Sequence, residues 1–128
     1  MSHTFPVRVY YEDTDMAGIV YYANYLRYIE RARSDWVKGL GIDQNQMKED
    51  GFVFAVRRVE ADYLLPAKLD DDLTVVTDVV QVTAARLVMD QQVKRDGETL
   101  FQAIVTVVMI NEDGQPARLP ANIRRMLH

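Results

Sequence analysis

The chain of 128 residues contains no cysteine and only two histidines, His3 and His128, which lie near its ends, where we expect fraying. A nucleophilic serine or cysteine normally needs a neighbouring imidazole to accept its proton, and catalytic zinc is usually held by histidine or cysteine. This composition can assemble neither arrangement convincingly. If the chain is an enzyme, we therefore expect a carboxylate to act as its acid, base or nucleophile, aided by tyrosine, lysine, arginine or backbone dipoles.

Other absences narrow the choice further. The net charge is −4 and no basic run offsets it, which argues against non-specific nucleic-acid binding. No apolar run is long enough to span a bilayer, and the N-terminus lacks the cationic start and apolar stretch of a signal peptide, so a cytoplasmic location is expected. With 48% apolar residues, the chain is predicted to form a single domain over residues 1–128, with a real core and no need of disulfides.

The segment Tyr11 to Tyr25 concentrates polar chemistry in one short stretch. Glu12, Asp13 and Asp15 precede a glycine at position 18, and a helical pattern begins a few residues later. Such a cluster beside a helix start is a candidate hydrolytic site, because a helix start exposes unpaired N–H groups and carries roughly half a positive charge. An aspartate ahead of a helix is also a common cap or turn residue, and these residues alone favour that reading for Asp15.

The first half of the chain predicts a strand followed by one long helix. Alternating residues favour a strand over Phe5 to Tyr11 and a loop over Asp13 to Tyr22. From Ala23 the apolar residues follow helical spacing, and the helix is expected to end near Gly39 and Gly41. Its predicted core face consists of Tyr25, Ile29, Ala32, Trp36 and Leu40.

The second half predicts antiparallel strands. A polar, partly helical connection over Asp43 to Gly51 leads into them, and Asp-Gly pairs at 96–97 and 113–114 favour hairpin turns with positive φ. The last three strands are therefore expected to form a consecutive meander. The four strands are predicted at Phe52 to Leu65, Leu73 to Val82, Leu87 to Lys94 and Thr99 to Ile110.

The order of these elements predicts an α+β fold in which an antiparallel sheet of about five strands wraps around one long helix. The single helix is the only cover available for the inner face of the sheet. It covers that face only in part, so leftover apolar surface and exposed strand edges predict self-association as a dimer or a dimer of dimers.

The sequence resembles the hotdog-fold 4-hydroxybenzoyl-CoA thioesterase family, and within it the Tol-Pal-associated acyl-CoA thioesterases of bacteria. The likeness covers almost the whole chain, and its motif fixes residues over nearly twenty positions. The residues that carry it are Arg8-Val9, Thr14-Asp15, Gly18-Ile19-Val20, Ala23, Tyr25, Tyr28-Ile29-Glu30-Arg31-Ala32-Arg33, Val56-Arg57-Arg58, Tyr63, Pro66-Ala67 and Leu69-Asp70-Asp71.

The resemblance implies roles for three positions in the motif. Asp15 would act on the thioester carbonyl, either as a nucleophile or as a base for water. The backbone N–H of Tyr22 would stabilise the oxyanion, and Gly18 would supply a sharp turn and allow close approach of substrate. Many members of this branch carry histidine in place of Tyr22, so a role that needs an imidazole would be missing here.

The remaining candidates surround this centre. Tyr11 and Tyr22 are predicted to line the pocket, Tyr25 to belong to the core and Asp13 to position the loop, while Glu12 is expected to face solvent or pair with an arginine. By similarity to family members, Arg86 and Arg118 are the leading candidates for contacts to coenzyme A phosphates. The run Asp70-Asp71-Asp72 is interpreted as an acidic turn before a strand, and neither a metal nor a cofactor is expected.

These observations predict an acyl-CoA thioesterase that releases a free acid and coenzyme A. An acyl carrier protein could replace coenzyme A, because both present the same phosphopantetheine arm. Two alternatives remain open. A hotdog dehydratase or hydratase would need a histidine with its carboxylate, and a non-catalytic module that binds acyl-CoA or acyl carrier protein would not require a carboxylate at Asp15.

Overall fold

The computed structural model describes residues 2–126 as one antiparallel sheet with helices against it. A single turn of 3-10 helix, Tyr11–Asp13, interrupts the first connection. The strands are β1 (His3–Arg8), β2 (Phe52–Tyr63), β3 (Asp72–Val82), β4 (Arg86–Arg95), β5 (Glu98–Asn111) and β6 (Pro116–Ala117), and the helices are α1 (Asn24–Gly39), α2 (Gln44–Glu49) and α3 (Ala121–Arg124).

The sheet has the order β1-β3-β4-β5-β2, and the short β6 pairs with β5. All its strand pairs are antiparallel, so the predicted meander of β3, β4 and β5 is confirmed. The turn between β4 and β5 places Asp96 at φ 51° and Gly97 at φ 82°, as a tight hairpin requires. The second Asp-Gly pair reverses the chain into β6, with positive φ at Gly114.

Helix α1 crosses the inner face of the sheet, because it connects β1 at one edge with β2 at the other. The predicted core face is confirmed. Tyr25, Ile29 and Ala32 are buried, and Trp36 and Leu40 pack against the same core. Their partners on the sheet include the inward-facing residues Leu73, Val75, Leu87, Met89, Val93, Phe101, Ala103 and Val105.

The structure corrects several expectations about the N-terminal segment and the cover of the sheet. Strand β1 ends at Arg8 rather than near Tyr11, because the Asp13 N–H donates to the carbonyl of Tyr10 and closes a turn there. His3 is not frayed: it pairs with β3, and its Nε2 lies 2.8 Å from Asp35 of α1. His128 lies outside the described residues.

Helix α1 is also not the only cover of the sheet. Met47 of α2 and Ile123 of α3 pack against the core, and β6 brings the sheet to six strands. Within residues 2–126 the structure contains no helix long and apolar enough to cross a membrane.

Strand β2 is the longer of the two edge strands, β1 and β2, of the described sheet. It has twelve residues and pairs with β5 alone, and no residue along it is fully buried. Apolar side chains nevertheless dominate it, and Val56 and Val59 are 46% and 39% exposed. A long edge of this kind is a ready template for pairing with another strand.

Candidate active site

The polar segment of the sequence motif folds into a tight backbone hairpin between β1 and α1. The Tyr21 N–H donates to the Asp13 carbonyl over 2.9 Å, and the Asp15 N–H donates to the Ile19 carbonyl over the same distance. The Gly18 N–H closes the tip on the Asp15 carbonyl, with Gly18 at φ 78°. This positive φ confirms the turn role of Gly18, although a Cβ there would meet nothing within 4 Å in the chain itself.

A second segment, residues 66–71, holds this hairpin against the sheet. The Val20 N–H donates to the Ala67 carbonyl over 2.8 Å, and Ile19 forms a bridge with Lys68. The acidic run Asp70-Asp71-Asp72, which begins within this segment, turns the chain into β3, as predicted. Asp71 accepts from the Lys68 N–H at 2.8 Å and from the Arg95 guanidinium at 2.7 Å.

The electrostatics of Asp71 follow from these contacts. Burial alone disfavours its charged form, but the Lys68 N–H and the Arg95 guanidinium outweigh that effect and lower the pKa of the carboxyl. The ion pair between Asp71 and Arg95 therefore holds residues 66–71 against the end of β4, next to the β4–β5 turn. No group of three or more potential metal ligands occurs within residues 2–126.

Asp13 is the buried carboxylate of the motif. Only 6% of the residue is exposed, and its Oδ2 accepts from the Tyr10 N–H at 2.8 Å while its Oδ1 accepts from the Asn24 side-chain amide at 3.0 Å. The interpretation of Asp13 as a loop-positioning residue is thus confirmed. Glu12 lies exposed, as expected, and takes part in none of these contacts.

Tyr28 packs beneath this network. Its hydroxyl is buried and has no hydrogen-bond partner among the described residues. Burial, and then the charge of the nearby Asp13, raise the pKa of Tyr28, so the phenol stays neutral.

Asp15 differs from Asp13 in its surroundings. It lies exposed at the tip of the hairpin, and one oxygen, Oδ1, accepts from the Ala17 N–H at 2.9 Å in a local turn. Among residues 2–126 the other oxygen, Oδ2, accepts no hydrogen bond, and the carboxylate forms no ion pair. The group is therefore held in place by one oxygen and open to a substrate or a water at the other.

The first residues of α1 are left open to a ligand as well. The N-terminal cap residue, Ala23, offers no side-chain acceptor, and the side chain of Asn24 is turned away toward Asp13. Within the described part of the chain, the N–H groups of Tyr22 and Ala23 donate to no acceptor, while the Asn24 N–H donates to Tyr21. Unpaired N–H groups at a helix start, with the helix dipole behind them, form an anion-binding position.

An aromatic cleft of about 240 Å³ adjoins the helix start. The Tyr63 hydroxyl donates to the Tyr22 carbonyl at 3.1 Å, and the two rings meet edge to face. Tyr25 is buried and stacks on Phe101, which confirms its place in the core. The lining residues are Ile19, Val20, Tyr22, Tyr25, Tyr63, Leu64, Leu65 and Pro66.

Burial and hydrogen bonding set the protonation of these phenols. Burial raises the pKa of Tyr25, and the hydrogen bond that its hydroxyl accepts from the Ala67 N–H acts in the opposite direction. Burial also raises the pKa of Tyr63. Both groups are therefore neutral at physiological pH and can serve as hydrogen-bond donors.

Tyr63 lines the cleft but was not among the site residues predicted from the sequence. The available signal was its place as the aromatic end of the strand that Pro66 stops. Its proximity to Tyr22 could not be inferred, because it depends on the pairing of Tyr63 with Phe101 between β2 and β5.

The other predicted binding residues lie apart from this cleft within one chain. Tyr11 is 84% exposed and does not line the cleft. Arg86 pairs with Val108 near the far end of β5, and Arg118 follows β6 at the same end. Val108 lies seven residue positions after Phe101 on β5, which is roughly 24 Å along a strand.

Comparisons with known proteins match nearly the whole chain. Residues 9–127 match the family model described as "Thioesterase-like superfamily". The acyl-CoA thioesterase YbgC of Haemophilus influenzae is 38% identical over 98% of this chain and 93% of its own length. The acyl-CoA thioester hydrolase YbgC of Escherichia coli O6:H1 is 37% identical over 92% of this chain and 90% of its own length.

A solved structure agrees with the sequence matches. The crystal structure of a probable thioesterase from Bartonella henselae superimposes with a TM-score of 0.89 at 36% identity, covering 94% of this chain and 100% of that one. The hairpin of Asp15, the start of α1 and strands β2 to β5 all fall within residues 9–127, which the family model matches.

Proposed function

Because the chain belongs to the thioesterase-like superfamily, we propose that Asp15 and the start of α1 carry out the hydrolysis of an acyl-CoA thioester. The fold is the hotdog fold, and the chain is an acyl-CoA thioesterase that releases a free acid and coenzyme A. One observation carries the proposal. The exposed Asp15 carboxylate, with one oxygen free of hydrogen bonds, and the unpaired N–H groups of Tyr22 and Ala23 occur together in the short segment from the hairpin to the helix start.

In the proposed reaction the thioester carbonyl oxygen lies at the first N–H groups of α1, with the Tyr22 N–H as the main donor. Asp15 either attacks the carbonyl carbon or removes a proton from an attacking water. Negative charge then collects on the carbonyl oxygen, where the N–H groups and the helix dipole stabilise it. Collapse of the tetrahedral intermediate breaks the C–S bond and expels the coenzyme A thiolate, which takes up a proton.

The two roles of Asp15 differ in the first product. Direct attack forms a mixed anhydride between Asp15 and the acyl group, which water then hydrolyses. General-base attack by water forms the free acid without a covalent intermediate, and Asp15 passes the proton that it takes from the water to the departing thiolate. In both routes the carboxylate returns to its ionised form, and no histidine is needed because a thioester is already activated toward acyl transfer.

Removing the Asp15 carboxylate tests this assignment. We expect Asp15→Asn to lower kcat by about 100-fold or more, since a positioned base contributes roughly 10² to 10⁴ in rate. Binding of the ester should survive, because the start of α1 is untouched. Thiol release from a panel of acyl-CoA esters measures the rate, and Glu12→Gln is the matched control, with near-native turnover expected. Unchanged turnover in Asp15→Asn would contradict the role of Asp15.

We further propose that the working enzyme is a dimer formed through β2. Antiparallel pairing of two copies of β2 would satisfy the free backbone N–H and C=O groups of this edge. It would also place the Arg86 and Arg118 of one copy at the same end of the combined sheet as the Asp15 hairpin of the other. These arginines would then contact the phosphates of coenzyme A across the subunit boundary.

Three finer points stay predictions of the sequence. They are the cytoplasmic location, the use of acyl carrier protein in place of coenzyme A, and the association of dimers into a tetramer.

A further inference from the structure

Two adjoining hollows, together called the channel, lie along the side of α1 that faces β2. Tyr22, Leu26, Ile29 and Arg33 are spaced four, three and four residues apart, so they lie on one face of the helix. A hollow of about 360 Å³ is lined by Leu26, Ile29 and Arg33 of this face, by Arg27 and Glu30 beside it, and by Val56 and Val59 of β2. The hollow therefore begins one helical turn beyond the proposed oxyanion position.

A second, deeper hollow continues the first. Glu30, Arg33 and Val56 line both, and the deeper one has a volume of about 170 Å³. The sheet forms its floor, since the helix does not reach across to the β2 edge. Its apolar lining comes from Trp36, Val37, Phe54, Leu87, Met89 and Val107.

Arg33 is the cation at the junction of the two hollows, and a buried glutamine fixes its position. Its guanidinium donates to Oε1 of Gln91 over 2.9 Å. Gln91 has no exposed surface, and its amide nitrogen donates to the Ile29 carbonyl and to the Thr77 hydroxyl, each over 3.0 Å. These two bonds orient the glutamine so that only its oxygen faces Arg33.

The charge of Arg33 is not balanced by an ion pair among the described residues. Burial lowers the pKa of its guanidinium, and the nearby charge of Glu30 acts in the opposite direction. Glu30 itself lies exposed at the rim, where it accepts from the Ser34 hydroxyl at 3.3 Å. The first hollow also contains Arg27, so its lining has two guanidiniums and one carboxylate.

We propose that this channel holds the acyl chain and that Arg33 binds a carboxylate at the far end of that chain. The preferred substrates are then coenzyme A monoesters of dicarboxylic acids. This inference rests on the proposed function, because it places the thioester at the start of α1. A channel that is lined mainly by apolar side chains, and whose fixed cation Arg33 forms no ion pair among the described residues, suits a chain that is apolar along its length and anionic at its end.

Helix geometry gives the length of the preferred chain. Eleven residues from Tyr22 to Arg33 span roughly 16 Å, and an arginine side chain on a helix reaches back toward the N-terminus by roughly 6 Å. About 10 Å remain for the acyl group. With C–C bonds of about 1.5 Å, an extended chain advances roughly 1.25 Å per carbon, so a chain of about eight carbons fits.

The test compares matched pairs of esters on the native enzyme and two variants. Each pair has the same chain length, from four to twelve carbons, with either a methyl or a carboxylate at the far end. The native enzyme should show the higher kcat/KM for the carboxylate of each pair near eight carbons. Arg33→Met should reduce that preference by roughly ten- to a hundredfold, as the loss of a charged hydrogen bond implies, and leave the methyl-ended esters nearly unaffected.

Arg31→Met is the matched control, since Arg31 lies exposed on another face of the same helix. It should keep the native preference. Gln91→Leu is a second variant, which keeps the Arg33 guanidinium but removes the hydrogen bond that holds it in position. It should weaken the same preference without removing it. Circular dichroism and melting curves confirm that each variant is folded before its kinetics are compared.

The outcomes separate this inference from the proposed function. Equal kcat/KM for both members of every pair, with turnover still dependent on Asp15, would overturn the channel assignment alone. Turnover independent of Asp15 would overturn the proposed function instead. If Arg33→Met changes the dimer into a monomer and leaves the preference unchanged, Arg33 binds a second copy of the chain, and the inference is wrong.

Discussion

Asp13 and Asp15 are two residues apart, but the hairpin places them in opposite environments. Asp13 is buried and accepts from donors on both sides of the hairpin, whereas Asp15 is exposed with one oxygen open. Sequence position alone cannot separate such roles, because both residues precede the same turn and the same helix. The separation comes from Asn24, whose side chain binds Asp13 instead of capping its own helix.

Removing the Asp13 carboxylate should destabilise the hairpin. We expect Asp13→Ala to reduce the free energy of unfolding by about 2 kcal/mol, because it leaves the Tyr10 N–H and the Asn24 amide without their charged acceptor. Chemical denaturation measures the loss. Glu12→Ala, on the exposed neighbour, should change stability by less than about 0.5 kcal/mol. Equal stability of Asp13→Ala and the native chain would rule out the positioning role.

At the scale of elements, local signals predicted what local interactions determine. Helical spacing identified the buried face of α1, and the Asp96-Gly97 pair identified the β4–β5 hairpin, because side-chain period and backbone φ depend on near neighbours. The predicted end of β1 near Tyr11 was wrong, because the hydrogen bond from the Asp13 N–H to the Tyr10 carbonyl closes a turn there. Tyr63 was missed because the β2–β5 register, a long-range property, brings it to Tyr22.

The segment 66–71 should make stability depend on pH in the acid range. The folded pKa of Asp71 lies below the ordinary value of 3.8, so the unfolded state binds more protons in that range. The stabilisation is present above the unfolded pKa and is lost as the pH falls through the folded pKa. We expect the melting temperature of Asp71→Asn to fall less steeply with acid than that of the native chain.

The control for this measurement is Asp70→Asn. Asp70 has φ 69°, a conformation that asparagine adopts readily, and it takes no part in the Arg95 ion pair. Its melting profile should follow that of the native chain. Parallel profiles for Asp71→Asn and the native chain would show that the ion pair does not stabilise the fold.

At the scale of the whole molecule, the sequence predicted a sheet that the helix covers only in part, but it did not predict where Arg86 and Arg118 lie. The helix covers the sheet incompletely, as predicted, and apolar side chains of the edge strand β2 stay partly exposed. Arg86 and Arg118, however, lie roughly 24 Å along β5 from the cleft of their own chain, counting seven strand residues. Sequence alone could not reveal this, because it depends on the direction of each strand.

A mixing experiment tests whether a site combines two chains. Asp15→Asn should abolish turnover, and the double change Arg86→Ala with Arg118→Ala should raise KM several-fold for coenzyme A esters but not for short thioesters that lack the nucleotide. When the two variants exchange subunits, one site of each mixed dimer regains Asp15 from one chain and both arginines from the other. We expect native KM at those sites.

Subunit exchange gives a different result if each site is formed within one chain. If both arginines serve the Asp15 of their own chain, no mixed dimer contains an intact site, and KM stays high after exchange. Ultracentrifugation before and after mixing shows that the dimers form.

The hydrogen bond from Tyr63 to the Tyr22 carbonyl acts on the next peptide unit of the helix start. That carbonyl shares a peptide group with the Ala23 N–H, which donates to no acceptor among the described residues. A hydrogen bond accepted at one end of a peptide group polarises it and strengthens the donor at the other end. The Tyr63 hydroxyl thus strengthens the Ala23 N–H as a donor at the anion-binding end of α1. A more acidic phenol at position 63 would strengthen that donor further.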